Sequence, residues 1–405
     1  MRIYRSLFLW AITLNYSPLR AEERCEWNTW QEMAKSAVES SPEILALKSE
    51  ESYKLSQSNT ANLGPTSVAN AQYVAGGMPW KSSNFEGSYL WTIERSQKRD
   101  ARIAAARVGV ENLQFERDDR VAQTILKIAL IQQALKTMDS RIEILAETKE
   151  TYRKVIKQYE SRLSLGPEQE ASLAVFTIAK KENDLRIEAM EVDRDQFTNQ
   201  LNRTLGCRLR KLPKLPQTKL ESPQEGPIDS ASPALRKLNA DSKSFELSAR
   251  SDMESYRSDF SVGPMIIAER KDDENRLQVG LVASYPIEGS RPATLSSMKS
   301  AEIRANQSQV DLKINQIEFE RESWHSQYTK SLRALKGGLT VEELSKAHRK
   351  LERLFQGERV SAALIIESHR QLLDHITSVT NLESKATEAL WNLRYLDGKI
   401  SWRDL

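Results

Sequence analysis

Ser41-Pro42-Glu43-Ile44-Leu45-Ala46-Leu47 and Ser232-Pro233-Ala234-Leu235-Arg236-Lys237-Leu238 share one pattern, Ser-Pro-x-(Ile/Leu)-x-x-Leu, 191 residues apart. Gly166 and Gly357 stand at the same offset, and Gly206 and Gly398 at one residue more. Landmarks in register over such a span mark a duplicated unit, and duplication governs every later reading of the fold. In each copy proline suits the first helical turn and the serine before it suits the cap. A short helix is therefore predicted over residues 42–59 and again over 233–251.

Each copy continues with two extended segments. Phe85, Gly87, Tyr89, Trp91 and Ile93 alternate with Glu86, Ser88, Leu90, Thr92 and Glu94. Leu277, Val279, Leu281, Ala283 and Tyr285 alternate with Gln278, Gly280, Val282 and Ser284. Period two marks a half-exposed strand. Strands are expected at about 84–95 and 277–287, with partners at about 66–76 and 259–269 that alternate poorly. Turns are expected at 78–83 and 271–276, giving one hairpin per copy. Each strand is about ten residues long, the length a tilted membrane strand needs. Two hairpins cannot close a barrel, because four strands leave two open edges that hydrocarbon does not tolerate. Oligomerisation of some kind follows.

Long helices come next, at about 96–162 and 292–356. Each is on the order of 100 Å, far beyond a globular helix. Val121, Ile125, Ile128, Ile131, Leu135, Met138, Ile142, Leu145, Tyr152, Ile156, Tyr159 and Leu163 recur at coiled-coil spacing, interrupted by Lys149. A return helix over 167–205 keeps Ala171, Val175, Ile178, Leu185, Ala189 and Val192 on one stripe. That stripe is expected to pack antiparallel on the long helix about a turn at Gly166. The second return helix spans about 359–397, and Gly337-Gly338 predicts a break in the second long helix. The chain thus divides into a leader (1–21), a first repeat (22–206), a Pro-rich linker (207–231), a second repeat (232–398) and a tail (399–405).

The leader has Arg2 and Arg5 before the apolar run Leu7 to Leu14, then Ala21 before Glu22-Glu23. This reads as a secretory signal peptide cleaved near Ala21, with an uncleaved anchor as the alternative. Cys25 and Cys207 either form one disulfide in an oxidising compartment or are two unrelated thiols.

Charged residues make up 28% of the chain, yet the net charge is only +3, so bulk attraction to nucleic acid is not indicated. No phosphate loop, dinucleotide-binding glycine pattern or zinc-type Cys/His spacing occurs, and no nucleophile stands near a base. No catalytic, cofactor-binding or metal site is expected, and the chain does not read as an enzyme. His369 and His375 read as solvated helix residues.

Short helix, hairpin, very long helix and return helix, duplicated behind a signal peptide, resemble the TolC-like outer-membrane efflux protein family. Val279-Gly280-Leu281-Val282-Ala283-Ser284-Tyr285-Pro286-Ile287 resembles its second-copy strand ending in Tyr/Gln-Pro-hydrophobic. Phe355-Gln356-Gly357-Glu358-Arg359-Val360-Ser361 resembles its tip turn, with one spacer missing. Leu390-Trp391-Asn392-Leu393-Arg394-Tyr395-Leu396-Asp397-Gly398 resembles its closing Leu-x-x-Leu-x-Gly stretch. Each motif alone is weak; their order and spacing carry the resemblance.

The resemblance implies an α plus membrane β-barrel fold: a homotrimer with a twelve-stranded barrel in the bacterial outer membrane and an α-helical tunnel in the periplasm. It implies a passive exit duct for efflux or type I secretion, with outer-membrane lipid around the barrel. Its partners would be a periplasmic adaptor (membrane fusion) protein and an inner-membrane transporter of RND or ABC type. Leu165, Gly166, Gly357 and Arg359 fall at the tips, where they would dock the adaptor or simply end helices. Where several members carry tip aspartates, Ala363 and Ile366 stand here, which leaves Glu367 as the candidate pore constriction. On this topology Cys25 and Cys207 meet near the middle of the tunnel, which implies a disulfide. Trp80, Tyr89 and Trp91 suit either an interfacial girdle or ordinary hairpin packing. The alternative architecture is a soluble periplasmic coiled-coil protein without a pore.

Overall fold

The computed structural model describes residues 24–76, 82–161, 166–211, 213, 220, 232–271, 274–287, 289–338, 343, 346, 349–350, 353 and 362–400. The leader, Leu165, Gly357, Arg359 and Trp80 lie outside the described residues. In order come β1 (Arg24–Cys25), α1 (Trp30–Ser40), α2 (Pro42–Thr60), β2 (Val68–Gly76), β3 (Ser82–Ile93), α3 (Ser96–Glu160) and α4 (Pro167–Leu205). Then follow β4 (Arg208–Leu209), α5 (Pro233–Ser255), β5 (Phe260–Lys271), β6 (Glu274–Ser284), α6 (Arg291–Gly337) and α7 (Ala362–Leu396). The order α2-β2-β3-α3-α4 recurs as α5-β5-β6-α6-α7.

Local chemistry explains the matching ends. Pro42, Pro167 and Pro233 each open a helix, where a missing N–H costs nothing. Gly206 and Gly398 both have left-handed φ, 70° and 68°. The next amide reaches back five residues in each copy, from Cys207 N to Asn202 O (3.2 Å) and from Lys399 N to Arg394 O (2.7 Å). This is the glycine-dependent helix stop, used twice.

α3 has 65 residues, which at the α-helical rise is about 98 Å. Its apolar seam is buried at Ile125, Ile128, Ile131, Leu135, Leu145 and Tyr152. Lys149, the interruption, is matched by Asp184 of α4 at 2.6 Å. α6 stops at Gly337, and Gly338 is extended, so the second long helix is not continuous over 292–356. Two glycines in succession lack the side-chain packing and backbone bias that would carry a helix on.

α1 was not anticipated. Thr29 caps it by accepting from Glu32 N (3.2 Å), while Glu32 Oε2 accepts from Asn28 N (3.1 Å). The pair is a capping box shifted by one residue. Trp30, Met33, Ala34 and Ala37 of α1 enter the main core with Ile125, Ile128 and Ala129 of α3, Leu201 and Leu205 of α4, and Trp391 of α7. Trp30 and Trp391 meet edge to face, 6.1 Å between centroids. Here the amino-terminal segment is tied down twice. β1 pairs in parallel with β4, and Cys25 is disulfide-bonded to Cys207 with Cα atoms 6.1 Å apart.

A polar knot locks the same level. Asp119 is 4% exposed. It accepts from Tyr395 Oη (2.7 Å) and Gln123 Nε2 (2.9 Å), and Lys237 Nζ stands 3.9 Å away. The knot joins α3, α7 and α5, so it holds the two repeats together. Burial, and then the bond to Asp119, push the Tyr395 phenol well above its ordinary range, so it remains a donor. Tyr395→Phe keeps the ring and removes that donor. It is expected to cost about 2 kcal/mol, the scale of a hydrogen bond to a charged group, read as a lowered midpoint in thermal melts followed by circular dichroism.

Candidate channel wall

The sheet has four strands in the order β2-β3-β5-β6, all antiparallel. β3 and β5 join the two hairpins, and β2 and β6 each have one neighbour among the described residues. The second turn is tighter than the expected 271–276, because pairing continues to Lys271↔Glu274. Lys271 and Glu274 to Arg276, expected in the turn, are therefore strand residues.

Register sorts the side chains. Tyr73, Phe85, Ala268 and Leu277 fall on one rung, and Ala71, Gly87, Ile266 and Val279 on the next of the same face. Trp91, Val262 and Ala283 continue that face. It is apolar from edge to edge and exposed: Phe85 at 43%, Trp91 at 50% and Leu281 at 81%. The opposite face carries the rung Gln72, Glu86, Ile267 and Gln278, then Asn70, Ser88, Met265 and Gly280. Glu86, Ser88, Thr92 and Ser261 on that side are the less exposed, as in a sheet curled toward its polar face. An exposed apolar face of this size on a folded chain marks a surface made for a partner or a membrane. The alternation matches the wall of a barrel with apolar residues outside and polar ones within. No described helix is long and apolar enough to cross a membrane.

The sheet is clamped to the helices. Arg102 of α3 donates to the carbonyls of Ala61 (2.8 Å) and Leu63 (3.0 Å) and pairs with Glu94 at the end of β3. Lys98 pairs with Asp259 ahead of β5 at 2.7 Å. Both hairpins are thereby fixed to the top of one helix.

In the helical part, the stripe on α4 is not where it was expected. Val175, Ile178, Leu185 and Val192 are exposed, with Ile178 at 67% and Leu185 at 68%. The face of α4 that meets α3 is instead Phe176, Ala179, Asn183, Leu201 and Leu205. Phe176 packs with Tyr152, Tyr159 and Ile365. The stripe therefore looks away from its own chain. His369 also departs from expectation: it is 3% exposed and sits edge-on to Tyr152, ring centroids 5.3 Å apart. It lies on the buried face of α7, four residues after Ile365 and four before Leu373.

Of the tip residues, Gly166 is extended (φ −76°, ψ 164°), and its carbonyl accepts from Gln169 N (2.9 Å) and Glu170 N (3.0 Å). Pro167 brings no N–H to the start of α4, and among the described residues no side chain caps it. Glu367 points away from the buried face of α7 and pairs with Arg370 (3.0 Å), which partly cancels its charge. Among the described residues no group of three or more His, Cys, Asp or Glu could hold a metal ion.

No family model matches the chain, and no curated protein matches it in sequence. Solved structures do match in shape. CusC, described for conformational changes accompanying folding and transmembrane channel formation, superposes with a TM-score of 0.71 at 12% identity, covering 94% of this chain and 96% of that one. The outer-membrane channel OprN gives 0.71 at 11% identity, covering 95% and 94%. The CmeC outer membrane channel of Campylobacter jejuni gives 0.69 at 10% identity, covering 98% and 93%. The chain has the fold of these channels over nearly its whole length.

The wall is tightest at Gly263. A Cβ there would lie 1.7 Å from the carbonyl oxygen of Tyr89, while one at Gly280 would come no closer than 3.8 Å to Met265. Pro264, next along, has no N–H for the ladder, and the β3–β5 pairing skips from Ser88↔Met265 to Trp91↔Val262. Gly263→Ala is expected to push β5 off β3 and lower the thermal midpoint at a cost of about 3 kcal/mol or more. Gly280→Ala should melt like the parent.

Proposed function

We propose that the chain is one third of a trimeric outer-membrane channel whose helical part reaches into the periplasm. It is a passive exit duct for substrates handed on by an inner-membrane transporter through a periplasmic adaptor. The observation that carries this reading is the four-stranded sheet, apolar on its exposed face, polar on the other and open at both edges, set on a helix of about 98 Å. Three copies give twelve strands, joining β6 of one copy to β2 of the next and leaving no edge in lipid. OprN and CmeC, which share the fold, are outer-membrane channels. A soluble coiled-coil protein would have no use for a sheet face that exposes Phe85, Tyr89, Trp91, Val279 and Leu281.

The α4 stripe fits the same assembly. Val175, Ile178, Leu185 and Val192 form a heptad seam that a second copy would cover. Leu165, Gly166, Gly357 and Arg359 then stand at the tips as the adaptor-docking residues, and Glu367 near them as the candidate constriction.

The detergent-purified protein is expected to give uniform conductance steps in a planar bilayer. A chain that stays in solution without detergent, monomeric and electrically silent, would sink the proposal. Leu185→Asp is expected to convert the trimer to monomer in light scattering at unchanged helix content. The substitution removes about 2 kcal/mol of apolar burial per copy and sets a charge in the seam.

A further inference from the structure

The apolar sheet face ends on a cation at each rim. At the loop end its last rung is Ser83, Arg270 and Asn275. At the helix end the last rung is Ile93 and Phe260, and two residues beyond Ile93 comes Arg95, the N-cap of α3. From Phe85 to Ile93 the face extends about 26 Å along the strand. At a barrel tilt of about 40° this is about 20 Å of height, most of a bilayer's apolar band. Arg95 therefore stands where that band would meet headgroups.

Most of its cationic neighbours are paired with a carboxylate. Lys98 sits on Asp259, Arg102 on Glu94, and Arg257 on Glu254. Arg99 is taken up by the side chain and carbonyl of Asn62. Among the described residues Arg95 donates to a neutral phenol alone, from Nη2 to Tyr285 Oη at 2.7 Å. The guanidinium is held in place, no carboxylate among the described residues pairs with it, and the first turn of α3 contains no acidic residue. Around it the surface is lipid-like: Trp91 is edge-on to Tyr89 at 5.3 Å, and Tyr285 and Ile287 are exposed. A fixed, uncompensated arginine with an aromatic and aliphatic apron matches a phosphate carrying acyl chains.

We propose that Arg95, steadied by Tyr285, binds the phosphate of an anionic phospholipid at the helix-side rim of the sheet, with Trp91, Ile93 and Ile287 against its acyl chains. This rests on the reading of the sheet as a membrane wall. The occupant is a phospholipid rather than a free phosphate, because the cation adjoins an apolar face instead of closing a polar pocket.

The test titrates the full-length protein, purified in a neutral detergent, with phosphatidylglycerol, and counts bound lipid by native mass spectrometry. Arg95→Gln is expected to weaken binding about fivefold, the effect of one arginine at an anionic surface. Tyr285→Phe should give a smaller loss at unchanged fold. Arg107→Gln removes the same charge three turns further along α3 and should bind like the parent. Equal losses from Arg95→Gln and Arg107→Gln, or none from either, would overturn the site. So would full displacement of the lipid by excess inorganic phosphate. A protein that needs no detergent defeats the membrane reading itself; a detergent-stable trimer indifferent to Arg95 defeats only the lipid site.

Discussion

A peptide group in hydrocarbon must find its hydrogen bond within protein, and in the proposed channel the chain's architecture follows from how it meets that demand. One copy supplies four strands and satisfies the inner ladders, but the outer edges of β2 and β6 have no partner among the described residues. In the proposed channel those edges complete one another around a ring. The two faces then have fixed roles, and the register assigns every strand residue to one of them. Tyr73, Phe85 and Leu277 share a rung on the lipid side, and Gln72, Glu86 and Gln278 share one on the other.

In the proposed channel the helices continue this wall as a long tube with no membrane to support them. Their stability comes from lateral packing, since single long helices have little of their own. Apolar seams handle most of it. Polar contacts are placed where register must be fixed: Lys149 on Asp184, Arg321 on Asp397, and Asp119 with Tyr395. Each joins two different helices, so a slip along the helix axis would separate them. Arg102 and Lys98 do the same between helix and sheet.

Much of this was legible in the residue order, and the failures have physical causes. The duplicated Ser-Pro starts, the alternation in β3 and β6 and the break at Gly337-Gly338 depend on local chemistry, which a sequence displays. β2 looked irregular because its residues on the apolar face include Ala69, Ala71 and Ala75, small side chains that carry little hydropathy contrast. The α4 stripe had the right period and the wrong partner: spacing says which residues share a face, not what covers them. α1 was missed although Thr29 and Glu32 spelled its cap. His369 was judged by its chemistry rather than by its place between Ile365 and Leu373, and place decides burial. The close approach at Gly263 involves the backbone of another strand, which only the Gly263-Pro264 pair within a strand hinted at.

The Cys25–Cys207 bond spans 182 residues, so the first repeat is a covalent ring. The second repeat has no equivalent, since the sequence holds no other cysteine. The two halves of a duplicated protein thus respond differently to being cut. A single cut anywhere between Cys25 and Cys207 opens the ring without releasing either piece. A nick in the second repeat severs the chain. The bond gives one half of the tube a tolerance to damage that its twin lacks, and that tolerance lasts only as long as the surroundings remain oxidising.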